Sequence, residues 1–290
     1  MCVKSQFPSI CDLFGGFIPH GKYGVIVILR GYIDESYNDR LFTLSCVMSD
    51  PVGWTDIQRG WRLCLKAKNK ALRSQGRPLL SRYHAADCSS LVGEFLGWRV
   101  DEQISFTKEL HAALRRGRGW LNTIAYSIPL ADFVEHFPER AEDPIASCQR
   151  EMLKFLMLEV SAQIKKAKRV KRSTRPVSII LIHERCAYDG IMLSAFNQML
   201  EDQTFSGRDM FTTIAPMGWE KCLPLQVADM IAYETFKDAE RRSSGRQRRK
   251  SLEALLSAGQ FGGRSKIMSA ENIQQWRALI DNASHSQLSV

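Results

Sequence analysis

The chain has 290 residues, with 40 Lys and Arg against 31 Asp and Glu, giving a net charge of +9 and a pI near 9.2. A composition of 44% hydrophobic and 24% charged residues excludes the disordered and fibrous classes. The longest aliphatic run, Val25 to Leu29, falls far short of the about 20 apolar residues of a spanning helix, so no membrane partner is predicted.

Residues 1–22 read as an extension. The stretch MCVKSQFPSICDLFGG has no long apolar core or small-residue cleavage site, so no signal peptide is predicted. GVIVILRGYID (24–34) is apolar through Leu29 without helical period and suits a buried strand. RLFTLSCVM follows after a short polar stretch at 36–39, which makes the two an antiparallel hairpin. A helix is predicted from Pro51 to about Ser74; RYHAADC then leads into a second helix ending near Leu114. Residues 119–130 form a third strand. Asp143 caps a helix that has Pro144 in its first turn and runs to about Lys168. Strands at 176–184 and 209–217 enclose a helix at 190–203; helices from Leu223 to about Arg242 and over 269–282 complete the chain. This order predicts an α/β fold with a mixed sheet, compatible with a ribonuclease H-like sheet flanked by helices and starting with an antiparallel hairpin. One domain spans 23–242, with a basic loop and C-terminal helices over 243–290 packed on it.

The basic excess is concentrated. Seven basic residues and no acid lie between Lys165 and Arg175, namely Lys165, Lys166, Lys168, Arg169, Lys171, Arg172 and Arg175. Six more (Arg241, Arg242, Arg246, Arg248, Arg249 and Lys250) follow one another without an acid. A smaller patch is Arg115, Arg116 and Arg118. Such runs can be solvated helix ends, or can contact phosphates, each contact adding salt-dependent affinity. Two in one chain point to nucleic acid as partner. Eight scattered cysteines without CxxC spacing suit a reduced, cytoplasmic protein.

The carboxylates carry the chemistry. Asp34 and Glu35 end the first buried strand, where α/β sheets gather catalytic groups; alternation puts Asp34 on the side of Ile26 and Ile28 and Glu35 on the other. Glu184 ends the fourth strand on the side of Ile180 and Ile182. Asp229 sits in LQVADMIAY, apolar nearly all round, where a carboxylate must be paired, protonated or metal-bound. Each has a structural alternative: a turn cap for Asp34 and Glu35, an arginine partner for Glu184 and for Asp229. Together they suit Mg²⁺ or Mn²⁺, and two such ions would clamp the attacking water and leaving oxygen of a phosphodiester.

IDES (33–36), HAAD (84–87) and PLQVADMIAYE (224–234) resemble the motifs of a bacterial family called domain of unknown function 3800, over roughly residues 25–242. The resemblance implies a ribonuclease H-like fold, a carboxylate metal site and nucleolytic activity. It implies Asp34, Glu184 and Asp229 as metal ligands, Asp87 and Glu35 as further candidates, and Gln226 as an orienting group. Two positions depart from the family pattern. Tyr37 replaces a glycine, a change expected to narrow the site mouth; His183 stands where many members have aspartate, and a register slip of one residue would put it inward in place of Glu184. Glu184 is preferred as the harder ligand.

His84 could protonate a leaving group or position a water. His84 and Cys88 with His183 and Cys186 are a rival, zinc-type set. The tryptophans at 54, 61 and 98 are expected in the core. The sequence thus predicts a divalent-metal-dependent nuclease, RNA ahead of DNA. Its alternatives are a non-catalytic nucleic-acid-binding module, or a component of a larger defence or mobile-element assembly.

Overall fold

The computed structural model describes residues 26–116, 121–170, 172, 174–256 and 261–285; the 1–22 extension lies outside them. A six-stranded mixed sheet has the spatial order β5-β4-β1-β2-β3-β6. Its strands are β1 (Val27–Tyr37), β2 (Leu41–Ser49), β3 (Leu121–Pro129), β4 (Val177–Glu184), β5 (Phe211–Met217) and β6 (Phe261–Ile267). Pairing is antiparallel from β1 to β2 and β2 to β3, and parallel from β1 to β4, β4 to β5 and β3 to β6.

Nine α-helices are found among the described residues: α1 (Pro51–Ser74), α2 (Ala85–Ser90), α3 (Val100–Arg116), α4 (Leu130–His136), α5 (Pro144–Val170), α6 (Asp189–Glu201), α7 (Leu223–Ser243), α8 (Lys250–Leu256) and α9 (Ala270–His285). None is long and apolar enough to cross a membrane.

Alternation along β1 sorts the core into two layers. Leu29 and Ile33 join Phe42, Leu44, Ile179 and Leu181 under α4, α5, α6 and α9; Tyr32 joins Val47, Ile180 and Ile182 under α1, α2, α3, α7 and α8. Covered on both faces, β2 is buried along its whole length. Trp54, Trp61 and Trp98 are core residues, as expected. The six described cysteines are all free thiols.

The hairpin turn is closed by Asn38, whose Oδ1 accepts from the N–H groups of Arg40 (3.0 Å) and Leu41 (2.9 Å) while its Nδ2 donates to Glu240 of α7 (2.8 Å). Asp143 does cap α5, accepting from the N–H of Ala146 at 3.0 Å. Three elements differ from expectation. The helix predicted to follow RYHAADC and end near Leu114 starts only at Val100: a short helix, α2, starts within RYHAADC itself and ends at Ser90, and Leu91, Gly93 and Gly97 then take positive φ (55°, 57° and 78°). Residues 130–136 turn from β3 into a short helix. The 243–290 segment adds a strand, β6, to the sheet edge beside α8 and α9.

Gly31 of β1 leaves no room for a side chain. A Cβ there would lie 2.9 Å from both Cys46 Sγ and Leu181 Cδ2, atoms of the two flanking strands. Gly31→Ala is therefore expected to destabilise the fold by about 1–3 kcal/mol through overpacking, read as a lowered urea midpoint at unchanged slope.

Candidate active site

Three elements deliver the acids to one end of the sheet. Ile33 pairs with His183 across β1 and β4, so Asp34 and Glu184 come next in register, side by side on the face covered by α7. Ser45, opposite Asp34 on β2, donates its hydroxyl to the carbonyl oxygen of Ala228 at 3.2 Å and so ties the sheet to α7 one residue before Asp229. Asp34 and Asp229 are buried, at 8% and 9% exposure. Glu184, at the mouth, keeps 33% of its side chain exposed.

The HAAD segment is held against the same helix through its backbone. Gln226 and Asp229, one turn apart on α7, accept from the N–H groups of Tyr83 (3.0 Å) and Ala85 (2.8 Å). Trp61 Nε1 donates to the same Gln226 oxygen at 3.1 Å. His84 stands between the two anchored amides, its Nδ1 3.0 Å from Asp87 Oδ2, and both side chains are about a third exposed. Gln226, expected to orient a ligand, instead orients this segment.

The acids are electrostatically strained. Burial first, then the charges of Asp229, Glu35 and Glu184, hold Asp34 well above the ordinary carboxylate range. Burial pushes Asp229 up to about 6; the His84 ring and the Ala85 N–H act against it, and the Glu184 charge adds to it. Glu35 is raised to about 7 by burial and by Glu184, with the Gln149 amide opposing. The cation beside them is Arg82, whose guanidinium lies 3.7 Å from Glu184 Oε1 and 4.2 Å over the Trp219 ring. Glu184 thus has the arginine that its structural alternative foresaw. Asp229 is met by a backbone N–H.

Neither Arg82 nor Trp219 was singled out in the sequence. Arg82 lies two residues before His84 and could have been noted as the one cation inside the RYHAADC segment.

Alternation sends the other candidates away. His183 is buried on the α5–α6 side, its Nδ1 3.0 Å from the carbonyl oxygen of Glu184 and 3.7 Å from Asp189 Oδ1. The register is therefore the one that puts Glu184, not His183, beside Asp34. Glu35 shares the His183 side. Tyr37 does too, stacked on Phe42 at 6.0 Å between ring centres, so it does not narrow the mouth beside Asp34. The zinc-type set is not assembled: Cys88 is in the core under α1 and α3, across the sheet from His183.

By donor chemistry, Asp34, Glu184 and Asp229 fit a hard divalent ion, whose charge would relieve their mutual repulsion. Their oxygens do not draw in as a tight cage. Among the described residues the one set with three ligand atoms within 4.8 Å of one another is His183, Cys186 and Asp189. A wider acid set suits Mg²⁺, which takes one or two carboxylates and completes its shell with water and substrate oxygens.

The basic runs are dispersed. The first, from Lys165, ends α5 and leads into β4 at Val177, and Pro176 accepts from the Val27 N–H (2.9 Å) at the start of β1. Seven strand residues then separate it from Glu184, about 23 Å at 3.3 Å per residue. Lys165 bonds Ser206; Lys166, Arg169 and Arg172 are exposed and Lys168 is half-buried, while Lys171 lies outside the described residues. This run occupies the end of the sheet opposite the acids.

In the second run Arg249 makes a two-pronged bond to buried Glu234 (2.8 and 3.2 Å) and is a structural residue, not a free phosphate ligand. Arg248 lies 3.8 Å from buried Asp238, and Arg241 Nε donates to Gln247 O at 2.8 Å. Arg242, Arg246 and Lys250 are exposed. Arg241 and Arg246, with Arg40 and Lys237, line a cleft of about 580 Å³ beside the hairpin turn. It is at the same end of the sheet as the acids. Of the small patch, Arg115 is exposed and Arg118 lies outside the described residues.

Compared with protein-family models, with curated proteins and with solved structures, the chain matches none.

Proposed function

We propose that the chain is a divalent-metal-dependent nuclease with a ribonuclease H-like sheet, hydrolysing phosphodiester bonds of RNA or DNA. The observation that carries this reading is the convergence of Asp34, Glu184 and Asp229, from three separate elements, on one partly open sheet end with Arg82 beside them. Such a concentration of buried acid costs stability and is found where chemistry needs it. The strand order, with its antiparallel β1-β2-β3 and parallel β1-β4-β5 portions, supports the architecture that the motif resemblance implies.

Asp34, Glu184 and Asp229 would hold Mg²⁺ or Mn²⁺, which supplies Lewis-acid activation of water and of the phosphate oxygen. The remaining roles belong to the chain. The Ala85 N–H fixes the Asp229 carboxylate. Arg82, braced over Trp219, is placed to contact a phosphate oxygen at the mouth. His84, oriented by Asp87, serves as proton donor to the leaving oxygen. The cleft lined by Arg40, Arg241 and Arg246 suits the flanking backbone of a bound strand.

Labelled single- and double-stranded RNA and DNA, incubated with Mg²⁺, Mn²⁺ or EDTA, test the reading. Cleavage with either metal and none with EDTA is expected. Salt-sensitive binding without cleavage under any condition would replace the nuclease by a binding module.

A further inference from the structure

We infer that the turn between β4 and α6 binds a borderline-soft divalent cation of the Zn²⁺ type through His183, Cys186 and Asp189, on the side of the sheet opposite Asp34. This goes beyond the nuclease reading and does not depend on it.

The three residues each offer a ligand atom within 4.8 Å of the other two. Ligands on a tetrahedral zinc at 2.0–2.3 Å are about 3.5 Å apart, so only small side-chain movements separate this set from coordination. His183 Nδ1 lies 3.7 Å from Asp189 Oδ1, and ligation through it would exchange its 3.0 Å bond to the Glu184 carbonyl for the ion.

The backbone builds the set from a short span. His183 is the penultimate residue of β4, buried to 2% exposure. The Arg185 N–H donates to Met217 O at 3.2 Å, fastening the following turn to β5. The Cys186 N–H donates to Asp189 Oδ1 at 2.9 Å, which closes the turn and brings thiol and carboxylate to the same place.

The donors decide the ion. One imidazole nitrogen, one sulfur and one carboxylate oxygen form a mixed set that disfavours Mg²⁺ and Ca²⁺ and suits Zn²⁺. Three protein ligands leave a fourth position. Glu35, within electrostatic reach of both Cys186 and Asp189, is a further oxygen donor on this side. The ion would brace the β4–α6 turn and with it the strand end that carries Glu184.

The test uses the full chain, stripped with EDTA and then given Co²⁺. A thiolate-to-cobalt absorption band is expected, saturating at one equivalent and displaced by Zn²⁺. Cys186→Ser should abolish the band and Asp189→Asn should weaken affinity about a hundredfold or more; both positions are half-buried, so these variants should fold. Asp34→Asn and Asp229→Asn should leave the band intact. The inference is overturned by a wild-type protein without the band, by a band that survives Cys186→Ser, or by one that disappears with Asp34→Asn. Metal-dependent cleavage without the band removes this site alone; the band without cleavage removes the nuclease reading alone.

Discussion

Asp34→Asn is expected to lower metal-dependent cleavage about a thousandfold or more while raising the melting temperature of the metal-free protein near pH 8. The first effect follows from the position. Loss of one anionic ligand between Glu184 and Asp229 removes several kcal/mol of charge stabilisation, and each 1.4 kcal/mol is about tenfold in rate. The second follows from the strain. Asp34 is buried and feels the charges of Asp229, Glu35 and Glu184, and an isosteric amide removes the repulsion without opening a cavity. A residue that served only the fold would show the reverse, a lower melting temperature with activity falling in proportion. Asp229→Asn should behave alike in cleavage, because an amide oxygen can still accept the Ala85 N–H.

Without metal, stability should decline as pH rises from about 6 to about 7, and excess Mg²⁺ should restore it. The unfolded chain gives up its carboxylate protons near pH 4. The folded chain keeps them longer, on Asp229 to about 6 and on Glu35 to about 7, with Asp34 shifted in the same direction. Where the native state holds more protons than the unfolded one, stability falls with rising pH. Their contribution is thus fully present below about pH 4 and is lost as pH climbs through the folded values. Burial lowers His111 to about 4 and also lowers His183, and these rings act in the opposite direction below about pH 6.5. The window above about pH 6 therefore reads mainly the acids. A cation bound at a hundred times its Kd adds about 2.7 kcal/mol. Calorimetry at several pH values, with and without Mg²⁺, checks both halves. A melting temperature indifferent to pH and metal would show that these carboxylates do not share a charge problem.

Much of this end of the molecule was legible because burial and alternation are periodic properties. An apolar run ending in Asp34 and Glu35, a second ending in Glu184, and an acid inside a helix apolar nearly all round could each be read from residue spacing. What joins them was not. Arg82 and Trp219 come from irregular segments, and no period relates a loop arginine to a ring 137 positions later. The backbone bonds from Tyr83 and Ala85 to α7 leave no mark on side-chain identity. β6 (FGGRSKI) has two glycines and no apolar alternation, so its pairing with β3 is a tertiary choice rather than a local one. Charge counts located the basic runs along the chain but carried no information on which end of the sheet receives them.

The one-residue parity of β4 has an evolutionary consequence. Glu184 faces the oxygen-rich end with Asp34, while His183 faces sulfur and carboxylate on the other side. A single-residue insertion or deletion within the strand would exchange the two sets wholesale, offering imidazole to the acids and carboxylate to the thiol. Point substitutions can tune either side in small steps; a change of strand length cannot, since it alters both at once. Drift in length should therefore be confined to the turns on either side of β4, where parity is not counted.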